Sequence, residues 1–347
     1  MEIDKEKWDK VFAGKEEGSV VGILIHPSPD PDALGSAVGV GVLLHEVYKL
    51  NSKIFHFGEI SHPQNKSFKN VLHIQLSDGR DFNSDDVCAT VLLDTDFEGS
   101  GFKSEKLEQV DVRIDHHLMD RGNGAKYKDV RTVGSTCSMI WEYLRHFNIS
   151  LEGYSNEATA MVIGIKTDTI DFTSQNTSEL DMEAYRSILP FVDKTKLSKV
   201  TNYQLPKVMF DTEVKAYKNK DMRSTVLFSF VGELAPANRD IIPTIADRFM
   251  RMDGVNTTVV VGIIEDHLVT SVRSDDDRVD VNDLCINTFG KSNAGGKEGS
   301  GGARIGLGPA YSLINDKETK DKVKEQVINQ FKEKIFETLG AHKEEEA

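Results

Sequence analysis

Cysteine is scarce in this chain. Its 347 residues hold three, Cys88, Cys137 and Cys285, odd in number and far apart, with no C-x-x-C pair. That speaks against a disulfide framework, a thiolate zinc site and a dithiol redox centre, and Cys88 and Cys137, set among apolar neighbours, read as small core residues. Long apolar runs are missing too: none approaches the roughly 20 residues that span a bilayer. The opening Met1-Glu2-Ile3-Asp4-Lys5 lacks the apolar core of a secretion signal. A cytoplasmic protein with no membrane partner is expected. Positive charge is in deficit, since 42 Lys and Arg face 56 Asp and Glu for a formal net charge of −14. The deficit argues against a broad basic surface for long nucleic-acid duplexes. It leaves anionic substrates open, because bound cations reverse the local sign of a site.

What the chain does have is carboxylate and imidazole placed just past apolar segments. The run Val20-Val21-Gly22-Ile23-Leu24-Ile25 is short and β-branched, and reads as a buried strand. It passes directly into His26-Pro27-Ser28-Pro29-Asp30-Pro31-Asp32, where three prolines are expected to hold the backbone extended. Alone, H-x-x-x-D-x-D is equally a solvated turn with an Asp at a helix N-cap. Three further segments repeat the pattern. Thr90-Val91-Leu92-Leu93 runs into Asp94, Val112-Arg113-Ile114 runs into Asp115-His116-His117, and a helical pattern through Ala158, Met161, Val162 and Ile165 leads to Asp168. Polar groups at the carboxyl ends of strands sit where open α/β sheets bind ligands.

The order of elements predicts the fold class, α/β. Residues 1–18 read as a polar helix with Trp8, Val11 and Phe12 as its apolar contacts, and residues 33–50 as an amphipathic helix. Strands are expected at 54–57, 71–75, 89–93 and 110–114, with 58–69 as a polar loop and a helical stretch near 104–109. Such alternation implies a mainly parallel sheet flanked by helices. Helices follow at 134–147, 156–165 and 178–191. The first opens on Gly134-Ser135-Thr136, whose free N–H groups suit either an ordinary Ser/Thr cap or a bound phosphate. The lysine-rich stretch 192–222 reads as a linker, partly helical, between a domain at 1–191 and a smaller α/β domain at 223–347. In the latter, strands are expected at 225–231, 257–264 and 268–273, and helices at 239–252, 280–289 and 316–339. A glycine-rich loop fills 290–308, and the tail at 343–346 reads as solvated.

The candidate ligands are His26, Asp30, Asp32, Asp94, His116 and Asp168. Four carboxylates with two imidazoles suit divalent ions of intermediate hardness such as Mn²⁺, with Mg²⁺ or Co²⁺ as alternatives. Six protein ligands exceed the needs of one catalytic ion, whereas two ions roughly 3.5–4 Å apart sharing a carboxylate would use them all and clamp a phosphoryl oxygen. Hydrolysis of a phosphoester or phosphoanhydride is the chemistry such a pair suits.

The motifs H-P-S-P-D-P-D-A-L-G-S, L-L-D-T-D, I-D-H-H and G-I-K-T-D-T, spread over residues 26–169, resemble the successive motifs of the DHH phosphoesterase superfamily. The resemblance implies that His26 and Asp30 hold one ion, that Asp32, His116 and Asp168 hold the other, and that Asp94 bridges them. It further implies that His117 faces the substrate phosphate as donor or acid while Asp115 orients the neighbouring histidines, both as catalytic residues. The second half is similar to the family's small substrate-binding domain, with the active site expected in the cleft between the two. Arg273 stands for its substrate arginine, and Gly295-Gly296-Lys297 for its glycine-rich G-G-G-H loop. Here Ala294 replaces the first glycine and Lys297 the histidine, and a lysine offers a cation without the histidine's ability to share a proton. Arg304, just beyond the loop, is a further candidate cation.

Length and domain plan resemble the branch that hydrolyses short oligoribonucleotides (nanoRNase, an exonuclease), linear or cyclic dinucleotides, or 3′-phosphoadenosine 5′-phosphate. The expected partner is therefore a short oligonucleotide or small phosphorylated nucleotide, with a second copy of the chain as a candidate partner. The alternatives are a pyrophosphatase or exopolyphosphatase, and a regulator that binds a nucleotide without cleaving it.

Overall fold

The structure is a computed structural model that describes residues 5–60, 62–103, 107–118, 124–297, 299–308, 311 and 313–341, the side chain of Lys297 excepted. It divides into two compact units, Met1–Gln204 and Leu205–Ala347.

The first unit begins with α1 (Lys5–Phe12) and the strand β1 (Val20–Ile25), followed by α2 (Pro31–Tyr48), β2 (Asn51–His56), α3 (Pro63–Val71) and the two-residue β3 (Ser77–Asp78). Then come β4 (Ala89–Leu93), β5 (Val110–Asp115), β6 (Ala125–Val130), α4 (Thr136–His146), α5 (Ser155–Asp168), α6 (Glu179–Ile188) and α7 (Lys194–Thr201). The six strands form one parallel sheet in the order β3-β2-β1-β4-β5-β6. Chain order runs outward from β1 in one direction and outward from β4 in the other, so the β1/β4 boundary is the topological switch point, where doubly wound sheets open a crevice at their carboxyl ends. Strand β4 is buried along its whole length, as a strand covered on both faces must be. One core joins Ile23, Val91, Val112 and Ile114 of the sheet to Leu34, Ala37, Ile140 and Met161 of the helices.

The second unit holds α8 (Lys207–Lys218), β7 (Lys220–Arg223), β8 (Val226–Leu234), α9 (Ile241–Phe249), β9 (Thr257–Ile264), β10 (His267–Ser274), α10 (Val281–Phe289), β11 (Ala294–Lys297), β12 (Ser300–Gly306) and α11 (Lys317–Thr338). Its six strands lie in the order β11-β12-β10-β9-β8-β7. Only β8 and β9 pair in parallel, so the sheet is mixed. Helices pack on both faces: α8 and α9 with one core cluster, α10 and α11 with the other.

Several elements differ from expectation. Residues 58–69 are not all loop, because Pro63 occupies the first turn of α3, where its missing N–H costs nothing. Residues 71–75 form no strand: Val71 closes α3 and His73 takes φ 56°, which breaks an extended run. Leu72 and Ile74 still bury against the first core. Strand β6 was hidden by its sequence, AKYKDV, in which only a few side chains are buried. The glycine-rich stretch expected as a loop is largely the hairpin of β11 and β12. Residues 192–222 are shared out, with α7 in the first unit and α8 in the second. The helix expected near 104–109 and the tail at 343–346 fall wholly or partly outside the described residues.

Candidate metal centre

The four motif segments end together at the switch point. His26 follows β1, Asp94 follows β4, Asp115 closes β5 with His116 and His117 after it, and Asp168 is the last residue of α5. His26 Nε2 lies 3.8 Å from Asp30 Oδ1 and 3.7 Å from Asp94 Oδ2. His116 Nε2 lies 3.4 Å from Asp94 Oδ1 and 3.2 Å from Asp168 Oδ2. The ligand atoms fall into three overlapping groups, His26/Asp30/Asp94, Asp32/His116/Asp168 and Asp94/His116/His117, each with its atoms within 4.8 Å of one another. All six expected ligands are thus brought together, with Asp94 common to two of the groups.

Each side chain is held by its own local structure. Asp30 is the N-cap of α2 and accepts the N–H groups of Asp32 and Ala33 at 3.1 and 3.0 Å, so it is both a cap and a member of the cluster. Asp32, fully buried in the first turn of α2, accepts the N–H groups of Thr136 and Cys137 at 2.7 and 2.9 Å. The N-terminus of α4 therefore binds a carboxylate of the protein itself, and the phosphate reading of Gly134-Ser135-Thr136 is corrected: Ser135 caps the helix and the next two N–H groups are taken. Thr136 Oγ1 donates to Asp94 Oδ1 at 2.9 Å. Asp94 itself has φ 58°, a left-handed conformation that costs most residues about 1–2 kcal/mol and that Asp tolerates better than most. Ser28 departs from the expected extended backbone, with φ 56°, because its N–H is tied to the Phe57 carbonyl at 3.0 Å.

Both candidate ligand histidines turn Nε2 inward. His116 Nδ1 donates to the Val133 carbonyl at 3.1 Å and His26 Nδ1 to that of Pro27 at 3.0 Å, which leaves each Nε2 as the atom facing the carboxylates. His117 differs. Its side chain is 56% exposed, and its Nδ1 and backbone N–H both donate to Asp115 Oδ1, at 3.0 and 2.9 Å.

The electrostatics show what the cluster lacks. Burial, then the Asp32, Asp30 and Asp168 charges, push Asp94 well above the usual carboxylate range. Burial and the Asp168 charge push Asp32 up to about 7. Burial works against the charged form of His116, but Asp168 and Asp32 outweigh it and carry its pKa up to about 9. His116 Nε2 is nevertheless buried without a hydrogen-bond partner. Buried like charges and an orphaned imidazole nitrogen are what a divalent cation would resolve, so the residues present fit one.

A family match covers five of the six candidate ligands and ends just before Asp168. Residues 20–165 match the DHH family, N-terminal domain. The first unit carries a DHH-family domain. A curated relative, an uncharacterized protein of Methanocaldococcus jannaschii, is 34% identical over 325 residues, 93% of this chain. The chain spans 65% of that relative's length. A crystal structure of an exopolyphosphatase-related protein from Bacteroides fragilis shares the fold, with a TM-score of 0.63 at 15% identity over 95% of this chain and 96% of that one. Among the described residues no helix is long and apolar enough to cross a membrane.

The candidates in the second unit sit on its sheet. Arg273 of β10 gives Nε to Asp247 Oδ1 at 2.6 Å and Nη1 to Ser271 Oγ and the Val272 carbonyl at 2.9 and 3.0 Å. Arg304 pairs with Val269, and Gly295 with Gly302, so the pleat puts Arg304 and Arg273 on one face, with open space where a Cβ at Gly295 would stand. Gly296 differs from its expected role as a free anion cradle. Its N–H is already given to Asn282 Oδ1 at 3.0 Å, and a Cβ there would meet the Ser300 carbonyl. The side chain of Lys297 lies outside the described residues. Thr136 reads from the sequence only as part of the Gly-Ser-Thr helix start, and the Val133 carbonyl and Arg113 take no role there, yet all three contact the candidate residues.

Proposed function

We propose that the chain is a metal-dependent phosphoesterase that uses two Mn²⁺ ions to hydrolyse a phosphodiester or phosphomonoester in a short oligonucleotide or small nucleotide. The observation that carries this reading is that the six candidate residues include two separate three-residue groups, His26/Asp30/Asp94 and Asp32/His116/Asp168, linked by the 3.4 Å approach of Asp94 Oδ1 to His116 Nε2. His26 and Asp30 would hold one ion, Asp32, His116 and Asp168 the other, and Asp94 both. Such a pair, when bound, supplies a water of lowered pKa and positive charge for the phosphoryl oxygens.

The chain's own residues do the rest. Backbone N–H groups of α4 fix the Asp32 carboxylate, and Thr136 fixes that of Asp94. Asp115 accepts from His117 Nδ1, so Nε2 is the ring nitrogen left to meet substrate; it donates to a phosphoryl oxygen or leaving group only in the imidazolium form, in which both nitrogens carry protons. In the second unit, Arg273 would supply the main cation for a second phosphate, with Arg304, Lys297 and the backbone at Gly295 as further contacts; the Gly296 N–H, already given to Asn282, drops out of that set. Arg273's Nε and Nη1 are engaged by protein acceptors, which fixes the plane of its guanidinium in advance.

The test is one panel with Mn²⁺: a dinucleotide, a pentanucleotide, a 40-nucleotide strand, 3′-phosphoadenosine 5′-phosphate, pyrophosphate and tripolyphosphate. Turnover of the first two or of 3′-phosphoadenosine 5′-phosphate, with the long strand left intact, is expected. Cleavage confined to pyrophosphate or tripolyphosphate would replace this reading with an inorganic phosphoanhydride hydrolase. Tight dinucleotide binding without cleavage would make the protein a nucleotide-binding regulator.

A further inference from the structure

Arg113 is a charged side chain in an apolar place. It lies in the middle of β5 between Val112 and Ile114, both fully buried, and is itself only 2% exposed. Burying a guanidinium without need is costly, so its contacts matter. Its Nη2 donates to Asp115 Oδ2 at 2.5 Å. Its Nε donates to the Thr95 carbonyl at 3.0 Å. These two acceptors belong to different segments of the candidate metal centre, one at the end of β5 and the other in the loop leaving β4.

On the β5 side the two oxygens of Asp115 are divided, Oδ2 to Arg113 and Oδ1 to the backbone N–H and Nδ1 of His117. The carboxylate cannot rotate without breaking one set. On the β4 side, Thr95 directly follows Asp94, the residue held at φ 58°. The Asp94 N–H is tied to the Ile114 carbonyl at 3.0 Å, so the left-handed kink is pinned before it by β5 backbone and after it by Arg113. Strained backbone of this kind persists only where its surroundings over-determine it.

We infer that Arg113 is a positioning residue, a buried clamp that sets the shared ligand Asp94 through the backbone and the His117 ring through Asp115, so that both segments keep one register. The inference rests on the proposed metal-dependent reading. A guanidinium fork spans two acceptors at once in a way a lysine ammonium on its flexible stem does not.

The test uses the full chain as wild type, Arg113→Met and Arg113→Lys, with Mn²⁺ titrated calorimetrically, far-ultraviolet circular dichroism to check folding, and kcat and KM measured on a dinucleotide. Both variants are expected to fold, to bind Mn²⁺ about 10- to 100-fold more weakly, and to lose kcat on a similar scale, as is usual when a group supporting a metal ligand is removed. The Lys variant should lie between wild type and Met, and KM should move by less than about threefold, because Arg113 does not reach substrate. Wild-type Mn²⁺ affinity and turnover in a folded Arg113→Met would overturn the inference, as would an effect confined to KM. If Arg113→Met does not fold, Arg113→Lys decides on the same criteria, and failure of both to fold would make the residue a folding element and overturn the clamp. A wild-type protein that binds no Mn²⁺ and cleaves nothing would instead sink the metal-dependent reading itself, a separate outcome.

Discussion

At the residue scale the weight falls on Asp94. It is 3% exposed, belongs to the group with His26 and Asp30 and to the group with His116 and His117, and is fixed by Thr136 and by its own kinked backbone. Asp94→Ala should lower kcat/KM by more than the roughly 100-fold that a supporting residue costs, and should reduce Mn²⁺ stoichiometry from two to one or none. Turnover near wild type in that variant would refute the bridging role. Arg273→Ala is expected to act differently, raising KM about 10- to 100-fold with kcat little changed, because a hydrogen bond to a charged group contributes about 1.5–3 kcal/mol and here belongs to binding. Steady-state kinetics on a dinucleotide separates the two patterns; a loss confined to kcat in Arg273→Ala would place the residue in the chemistry instead. The six candidate ligands were legible in the sequence because each follows an apolar strand or helix. The partners of those ligands were not. Nothing in a sequence marks backbone N–H groups more than a hundred positions away as the acceptors' donors for Asp32, and a lone arginine inside a strand reads as a surface residue until its burial is seen.

At the scale of elements, the site depends on α2, α4 and α5 coming very close. A Cβ on Gly164 would stand 2.6 Å from Cys137 Sγ and 2.9 Å from the Pro31 carbonyl, and one on Gly35 would stand 2.7 Å from the same sulfur and 2.8 Å from the Ala160 carbonyl. These glycines let Asp32 on α2 and Asp168 on α5 face each other beneath α4. Gly164→Ala would ordinarily gain up to about 1 kcal/mol of helix propensity. Here the added methyl meets backbone and sulfur, where overpacking costs about 1–3 kcal/mol, so the net expectation is a loss of stability together with weaker Mn²⁺ binding. Urea unfolding and Mn²⁺ titration check it, and a raised midpoint with unchanged affinity would contradict the close packing. The long apolar elements were readable from pattern alone. Those carried by few buried side chains were not: β6, the hairpin of β11 and β12, and the boundary between α3 and residues 72–75. Nor did the pattern show that Ile170, Asp171 and Phe172, just after Asp168, all take φ of 50–68°.

At the scale of the whole molecule, the metal-free cluster should leave a signature in stability against pH. Asp32 has a folded pKa of about 7, above its ordinary value, and His116 one of about 9, also raised. A raised folded pKa gives stability that is complete below the ordinary value and is lost as pH climbs through the folded value. Chelator-treated protein should therefore lose melting temperature between about pH 4 and pH 9, Asp32 governing the lower part of the range and His116 the upper. Mn²⁺ takes over the charge balance and displaces the protons, so the metal-induced rise in melting temperature should grow across that window. Differential scanning calorimetry at several pH values, with and without Mn²⁺, reads the difference directly. A metal-induced shift that shrinks with rising pH would contradict the assignment of these groups as ligands.

The central claim is that two cations sit among these six side chains. Anomalous diffraction at the manganese edge from crystals of the Mn²⁺-loaded protein tests it most directly. Two peaks are predicted, one among His26, Asp30 and Asp94 and the other among Asp94, Asp32, His116 and Asp168, with Asp94 oxygens reaching both. No peak within reach of Asp94, or manganese bound only at other residues, would contradict it.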